Sequence, residues 1–204
     1  GLEHPDITNA SRRIKSSEFM KCQEKGIDMT EIVIGFDGIV IANSKKAPDM
    51  NLTLQQIYLA TAKKVPNPAA PCQANWCEPI DNPYVTWSDI DPSLPDTKIE
   101  ILGPPPTSGT RDAFQELAMS GGADAYPHMK ALKASDKSLW KKLTRTVRED
   151  GAWIDAGEND NLMVSKLAAN SKAVGVFGFS FLDQNADQIK GGDVNGVEPT
   201  FENI

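Results

Sequence analysis

Residues 98–114 read KIEILGPPPTSGTRDAF. Lys98 to Leu102 has the apolar, branched composition of a strand. Gly103 and three prolines interrupt it, and from Ser108 onward Ala113, Phe114, Leu117 and Ala118 recur at helical spacing as the inner face of an amphipathic helix. A helix that begins at Ser108 or Gly109 leaves its first-turn N–H groups without intrahelical acceptors, with the positive end of the helix dipole behind them. Gly109 admits an oxyanion without a Cβ in the way, Ser108 and Thr110 add hydroxyl donors, and Arg111 can offer a bidentate, charge-assisted pair. An ordinary capped helix, with Ser108 satisfying its own backbone and Arg111 facing solvent, is the other reading of the same residues.

The rest of the chain reads as strands alternating with helices, which implies an α/β fold with a mixed sheet flanked by helices. The segment 31–42, EIVIGFDGIVIA, predicts two abutting strand pieces buried on both faces. Asp6 to Ala10 reads as a short strand and Ser16 to Lys25 as a short helix. Thr53 is a plausible N-cap for a helix over 53–64, and that role accounts for Asn51-Leu52-Thr53 better than glycosylation does. Residues 65–84, crowded with Pro and Asn, predict a long surface loop. Further helices are expected at 137–149 and 159–170, and a strand at 173–179.

Composition narrows the function. With 21 Lys+Arg against 28 Asp+Glu and a net charge of -7, the chain has no cationic excess for a nucleic-acid backbone, so any anion must be held locally. No apolar run approaches the ~20 residues of a membrane span. The start at Gly1, with no signal-peptide pattern before it, reads as processed or cut. Cys72 and Cys77 suit a local disulfide. Zinc is the rival, but neither His4 nor His128 sits at ligand spacing from the cysteines, so no metal and no cofactor are expected.

The 103–111 segment lacks the Gly-Lys-Ser/Thr ending of a P-loop, and Ser108 lacks the Gly-x-Ser-x-Gly setting of a hydrolase nucleophile. Two other stretches carry chemistry. Asp6-Ile-Thr-Asn-Ala-Ser11-Arg12-Arg13-Ile14 delivers a hydroxyl and a guanidinium into a loop. Gly35-Phe36-Asp37-Gly38 sets an acid in a break between apolar pieces. Such a carboxylate can accept the proton of hydrogen phosphate while repelling sulfate, which has none to give. A turn residue, or a partner for Arg12 or Arg13, is the alternative for Asp37.

These stretches, with Ala173-Val-Gly-Val-Phe-Gly-Phe179, resemble the phosphate-specific substrate-binding proteins of bacterial ABC importers, the PstS-like branch of the type 2 periplasmic binding proteins. The resemblance spans most of the chain. It implies a non-enzymatic, monomeric periplasmic protein that captures inorganic phosphate and delivers it to ABC permease subunits. Ser11 and Arg12 would contact ligand from one lobe, Ser108, Gly109, Thr110 and Arg111 from the other, and Asp37 would lie near the hinge. Residues 1–38 would be part of a first lobe and 39–204 a nearly complete second, as in a chain cut at both ends. An exported phosphatase using the same cradle, and a phosphate-sensing or adhesion protein on the same fold, are the alternatives.

Overall fold

The computed structural model describes residues 6–10, 12–70, 72, 77–157 and 159–203. The chain divides into two compact units, Gly1–Phe36 and Asp37–Ile204. In the first, α1 (Ser16–Glu24) is the described helix. Asp6 to Ala10 is not a strand, and neither is 31–38. The apolar side chains expected to be buried there are open to solvent, Ile34 at 95% and Phe36 at 92%. An apolar run becomes a strand only when a neighbour takes its backbone hydrogen bonds, and only the later part of the predicted segment finds one.

That part is β1 (Ile39–Ser44), in the second unit. It pairs antiparallel with β6 (Val174–Gly178) and with β7 (Ile189–Gly191). β6 lies parallel to β4 (Ile101–Gly103), and β4 parallel to β5 (Trp153–Asp155). The result is a mixed five-stranded sheet in the order β5-β4-β6-β1-β7.

Successive side chains alternate between its faces, and each face has its own core. Ile41, Ile101, Trp153, Val174 and Val176 pack on one side with α2 (Leu54–Thr61), α3 (Trp87–Ile90), α4 (Gly109–Phe114), α5 (Ser120–Ala123), α6 (Pro127–Ser135) and α7 (Lys137–Arg145). Val40, Ala42, Leu102, Phe177 and Ile189 pack on the other with α8 (Asp160–Ala169) and α9 (Phe179–Gln184). Helices on both faces of a mixed sheet are the α/β arrangement read from the sequence.

Local chemistry explains most element ends. Thr53 Oγ1 accepts from the Gln56 N–H at 3.1 Å, and Gln56 Oε1 accepts from the Thr53 N–H at 2.8 Å, a reciprocal cap for α2. The region 65–84 is not all loop: β2 (Lys64–Pro66) and β3 (Pro79–Asp81) form a short antiparallel pair, with Pro66 opposite Pro79 at its end. Cys72 and Cys77 are joined by a disulfide in the connection between them, and Cys22 is free.

The amphipathic reading of 109–118 fails at one point. A π-helical turn over Gln115–Met119 separates α4 from α5. Its wider turn rotates the later residues, so Met119 is buried while Leu117, expected inside, is 67% exposed. Among the described residues no helix is long and apolar enough to cross a membrane.

Candidate anion-binding site

The carboxyl ends of the parallel strands β4, β5 and β6 lie at one edge of the sheet. β1 runs the opposite way, with Ile39 opposite Gly178, so its entrance, Asp37-Gly38, lies at that same edge. Ligands of open α/β sheets bind at this edge, because loops and helix starts gather there. Gly103 ends β4 at this edge, and the turn that follows carries the chain to Ser108.

Ser108 is the N-cap of α4, with extended backbone (φ -78, ψ 134). Its Oγ accepts from the Thr110 N–H at 3.2 Å, so the hydroxyl engages its own helix in this state. Ser108, Gly109, Thr110 and Arg111 are all half-buried. They lie at the head of a helical run that continues through the π turn and α5.

Arg111 does not face solvent; its side chain is 11% exposed. One terminal nitrogen donates to Asp155 Oδ1 at 2.6 Å and to the Pro104 carbonyl at 3.1 Å. The guanidinium lies 5.0 Å from the Trp153 ring centroid, a cation–π distance. The Trp153 indole N–H donates to the same carboxylate oxygen at 2.9 Å. Arg111 Nε is buried without a hydrogen-bond partner among the described residues.

Asp155 was not singled out from the sequence. It reaches the site because Trp153 and Asp155 are two apart on β5 and so share a face, and because Asp155 stands opposite Gly103 in the parallel register. Nothing local to Trp153-Ile-Asp155 signals the pairing, since Arg111 is 44 residues away.

Asp37 is exposed. Its carboxylate lies over Gly178, where an added Cβ would stand 2.5 Å from Oδ2, so a side chain at 178 would displace it. The Phe179 N–H donates to the Gly38 carbonyl at 2.7 Å and ties the β1 entrance to the start of α9. The structure therefore puts Asp37 and the Ser108–Arg111 cradle at one sheet edge within the second unit.

Of the first-unit candidates, Ser11 lies outside the described residues. Arg12 forms a two-pronged ion pair with Glu18, at 2.8 and 3.0 Å. The side-chain hydrogen bonds from Arg12 and the backbone N–H of Lys15 bring the Glu18 carboxyl down to about 2.

Fold and edge geometry together define a class: an α/β domain whose mixed sheet brings strand ends and one helix start to a single edge. The chain belongs to the PBP superfamily, whose domain model matches residues 3–204. It is 30% identical over 208 residues to the phosphate-binding protein PstS of Staphylococcus epidermidis, covering 98% of this chain and 49% of that protein. To protein SphX of Synechococcus elongatus it is 27% identical, covering 98% and 48%.

Among solved structures it is similar to PstS from Borrelia burgdorferi, with a TM-score of 0.55 and 14% identity over 94% of this chain and 58% of that one. An ABC-type phosphate transport receptor from Vibrio cholerae gives a TM-score of 0.54 and 19% identity, over 96% and 59%. These likenesses show the type 2 periplasmic binding fold. The chain spans about half the length of the curated relatives it matches.

Proposed function

We propose that this chain forms part of a periplasmic protein that captures inorganic phosphate without covalent chemistry and delivers it to ABC permease subunits. The observation that carries the reading is the held guanidinium of Arg111, its side chain 11% exposed, beside the half-buried helix start of Ser108, Gly109 and Thr110. Oriented backbone and hydroxyl donors around a fixed cation suit a small tetrahedral oxyanion. The relatives named phosphate-binding protein PstS support phosphate as that anion.

In this reading Ser108, Gly109, Thr110 and Arg111 bind the phosphate oxygens, and Asp37 accepts the proton of hydrogen phosphate. Ser11 and Arg12 act from a first lobe, of which residues 1–38 are part, and closure of that lobe on a second, residues 39–204, completes a monomeric binding unit. Arg12 must then exchange Glu18 for ligand. Against the hydrolase alternative, His128, the histidine among the described residues, is buried with Nδ1 3.3 Å from Cys77 Sγ rather than hydrogen-bonded to a serine.

The test is calorimetric titration with phosphate and sulfate, in this chain and in any longer protein that contains it. A charge-assisted hydrogen bond contributes about 1.5–3 kcal/mol. Losing two with Arg111→Ala should weaken phosphate binding by roughly 100-fold or more. Wild-type affinity in that variant refutes the assignment, and an unchanged preference over sulfate in Asp37→Asn removes Asp37 as the proton acceptor.

A further inference from the structure

The fold assembles a second cluster that the phosphate reading does not use. Cys72, Cys77 and His128 place their two Sγ atoms and a ring nitrogen within 4.8 Å of one another. Cys77 and His128 are buried, at 6% and 4% exposure, and Cys72 is exposed. Folding thus overturns the spacing argument against zinc: His128 is 51 residues from Cys77, yet its Nδ1 lies 3.3 Å from that sulfur. Its other nitrogen, Nε2, is buried with no hydrogen-bond partner among the described residues. The imidazole therefore has its one polar contact, among those residues, with a sulfur atom.

We propose that the Cys72–Cys77 disulfide covers a latent site for a zinc-class divalent cation, which opens when the disulfide is reduced. A disulfide holds its sulfurs about 2 Å apart, too close to chelate. A tetrahedral zinc site with Zn–S near 2.3 Å and Zn–N near 2.0–2.1 Å separates its donor atoms by about 3.5–3.8 Å. Cys77 Sγ and His128 Nδ1 are already near that spacing, and Cys72 has only to swing outward on the exposed side. Cys72-x4-Cys77 also falls within the usual range for paired zinc cysteines.

The charges balance. A dithiol reductant breaks the S–S bond and is itself oxidised to a disulfide, leaving two thiols. The cation then displaces one proton from each. Two thiolates and a neutral imidazole around a divalent ion form a neutral unit, which lowers the cost of holding charge beside a buried histidine. Water takes the fourth position on the exposed side. The disulfide closes a loop of sequence separation 5, whereas the metal would tether the β2–β3 connection to α6, which carries His128.

The experiment uses a Cys22→Ser background, so that the free thiol contributes nothing. The protein is reduced with dithiothreitol, desalted without oxygen, and titrated with Co2+ and then Zn2+. One equivalent of Co2+ should give thiolate charge-transfer and tetrahedral ligand-field absorption in reduced protein and none in oxidised protein, and Zn2+ should abolish it. His128→Asn and Cys72→Ser should each weaken binding at least 10-fold; Cys72 is exposed, so its variant retains the fold if His128→Asn does not. Absence of a stoichiometric spectrum after reduction, equal binding before and after reduction, or wild-type affinity in Cys72→Ser overturns the proposal.

Discussion

Replacing Gly103 by alanine places a Cβ inside the indole of Trp153. The new carbon would stand 2.7 Å from Trp153 Cε2 and closer still to Cζ2 and Cη2. Carbon atoms pack at about 3.5–4.0 Å, so the ring must retreat by more than 1 Å. It has little room: Trp153 is buried, and its ring centroid lies 5.5 Å from that of Phe114, with Arg111 at 5.0 Å. Overpacking of this kind costs about 1–3 kcal/mol, and a rigid ring with no free side belongs at the upper end. For a domain of this size about 3 kcal/mol lowers the midpoint of thermal unfolding by roughly 6–12 °C.

The consequence reaches the proposed anion site. Moving the indole withdraws its N–H from Asp155 and its face from Arg111, so phosphate affinity should fall about 10-fold at temperatures where the variant is fully folded. Urea denaturation gives the first quantity and calorimetric titration the second. Gly35→Ala is the control, because no atom lies within 4 Å of a Cβ there. A stability change under about 0.5 kcal/mol in Gly103→Ala would refute the packing argument, and intact anion affinity in a destabilised variant would sever Trp153 from the site.

Three further outcomes are expected. Asp155→Asn keeps an acceptor for Trp153 but removes a negative charge beside the proposed anion; one unit of like-charge repulsion at a solvated edge contributes about 1 kcal/mol, so phosphate and sulfate should both bind roughly fivefold tighter, and weaker binding of both would show that holding Arg111 matters more than the charge. Asp150 is held below the usual carboxylate range chiefly by its hydrogen bonds from Arg148, a buried guanidinium that also donates to the Ala60 and Tyr84 carbonyls. A depressed carboxyl stabilises the fold above its ordinary value near 3.8 and loses that contribution as the pH falls through the folded value. Asp150→Asn should therefore cost about 1 kcal/mol near neutrality, a figure discounted because the Asp150 side chain is 48% exposed, and should flatten acid unfolding below pH 4; equal acid sensitivity in wild type and variant would remove the pair from the account. Finally, phosphate affinity should change less than about threefold between 50 and 500 mM salt, and a steep loss on titration across that range would point to a diffuse basic patch instead.

What could be read from the sequence was whatever local chemistry determines. α2 sits where Thr53 and Gln56 cap each other, and α7, α8 and β6 fall within the segments expected of them. The helix start at Ser108 to Arg111 was legible because its capping signal is contiguous in sequence. The misreadings each needed a neighbour the sequence does not show. Ile32 to Phe36 has strand composition without a described strand partner. The π turn after Phe114 redirects Leu117 outward. Asp155 and His128 meet Arg111 and Cys77 across separations of 44 and 51 residues, contacts that only sheet register and helix packing create.

The same distinction between local and long-range terms would let a chain of net charge -7 hold the proposed anion. Summed over the molecule, the field opposes phosphate, but salt screens it beyond about 10 Å at 0.1 M. The proposed cradle would act at hydrogen-bond range, through a guanidinium already immobilised by Asp155, Pro104 and Trp153. Fixing that side chain before ligand arrives removes an ordering cost from the binding step. Asp155 contributes repulsion to every anion alike and so cannot discriminate among them. Asp37, exposed at the same sheet edge, is in the proposed reading the group whose effect would change sign with the ligand: attractive where an oxygen carries a proton, repulsive where none does. In the proposed reading affinity belongs to the Ser108–Arg111 segment and selectivity to Asp37, two separable properties of one sheet edge.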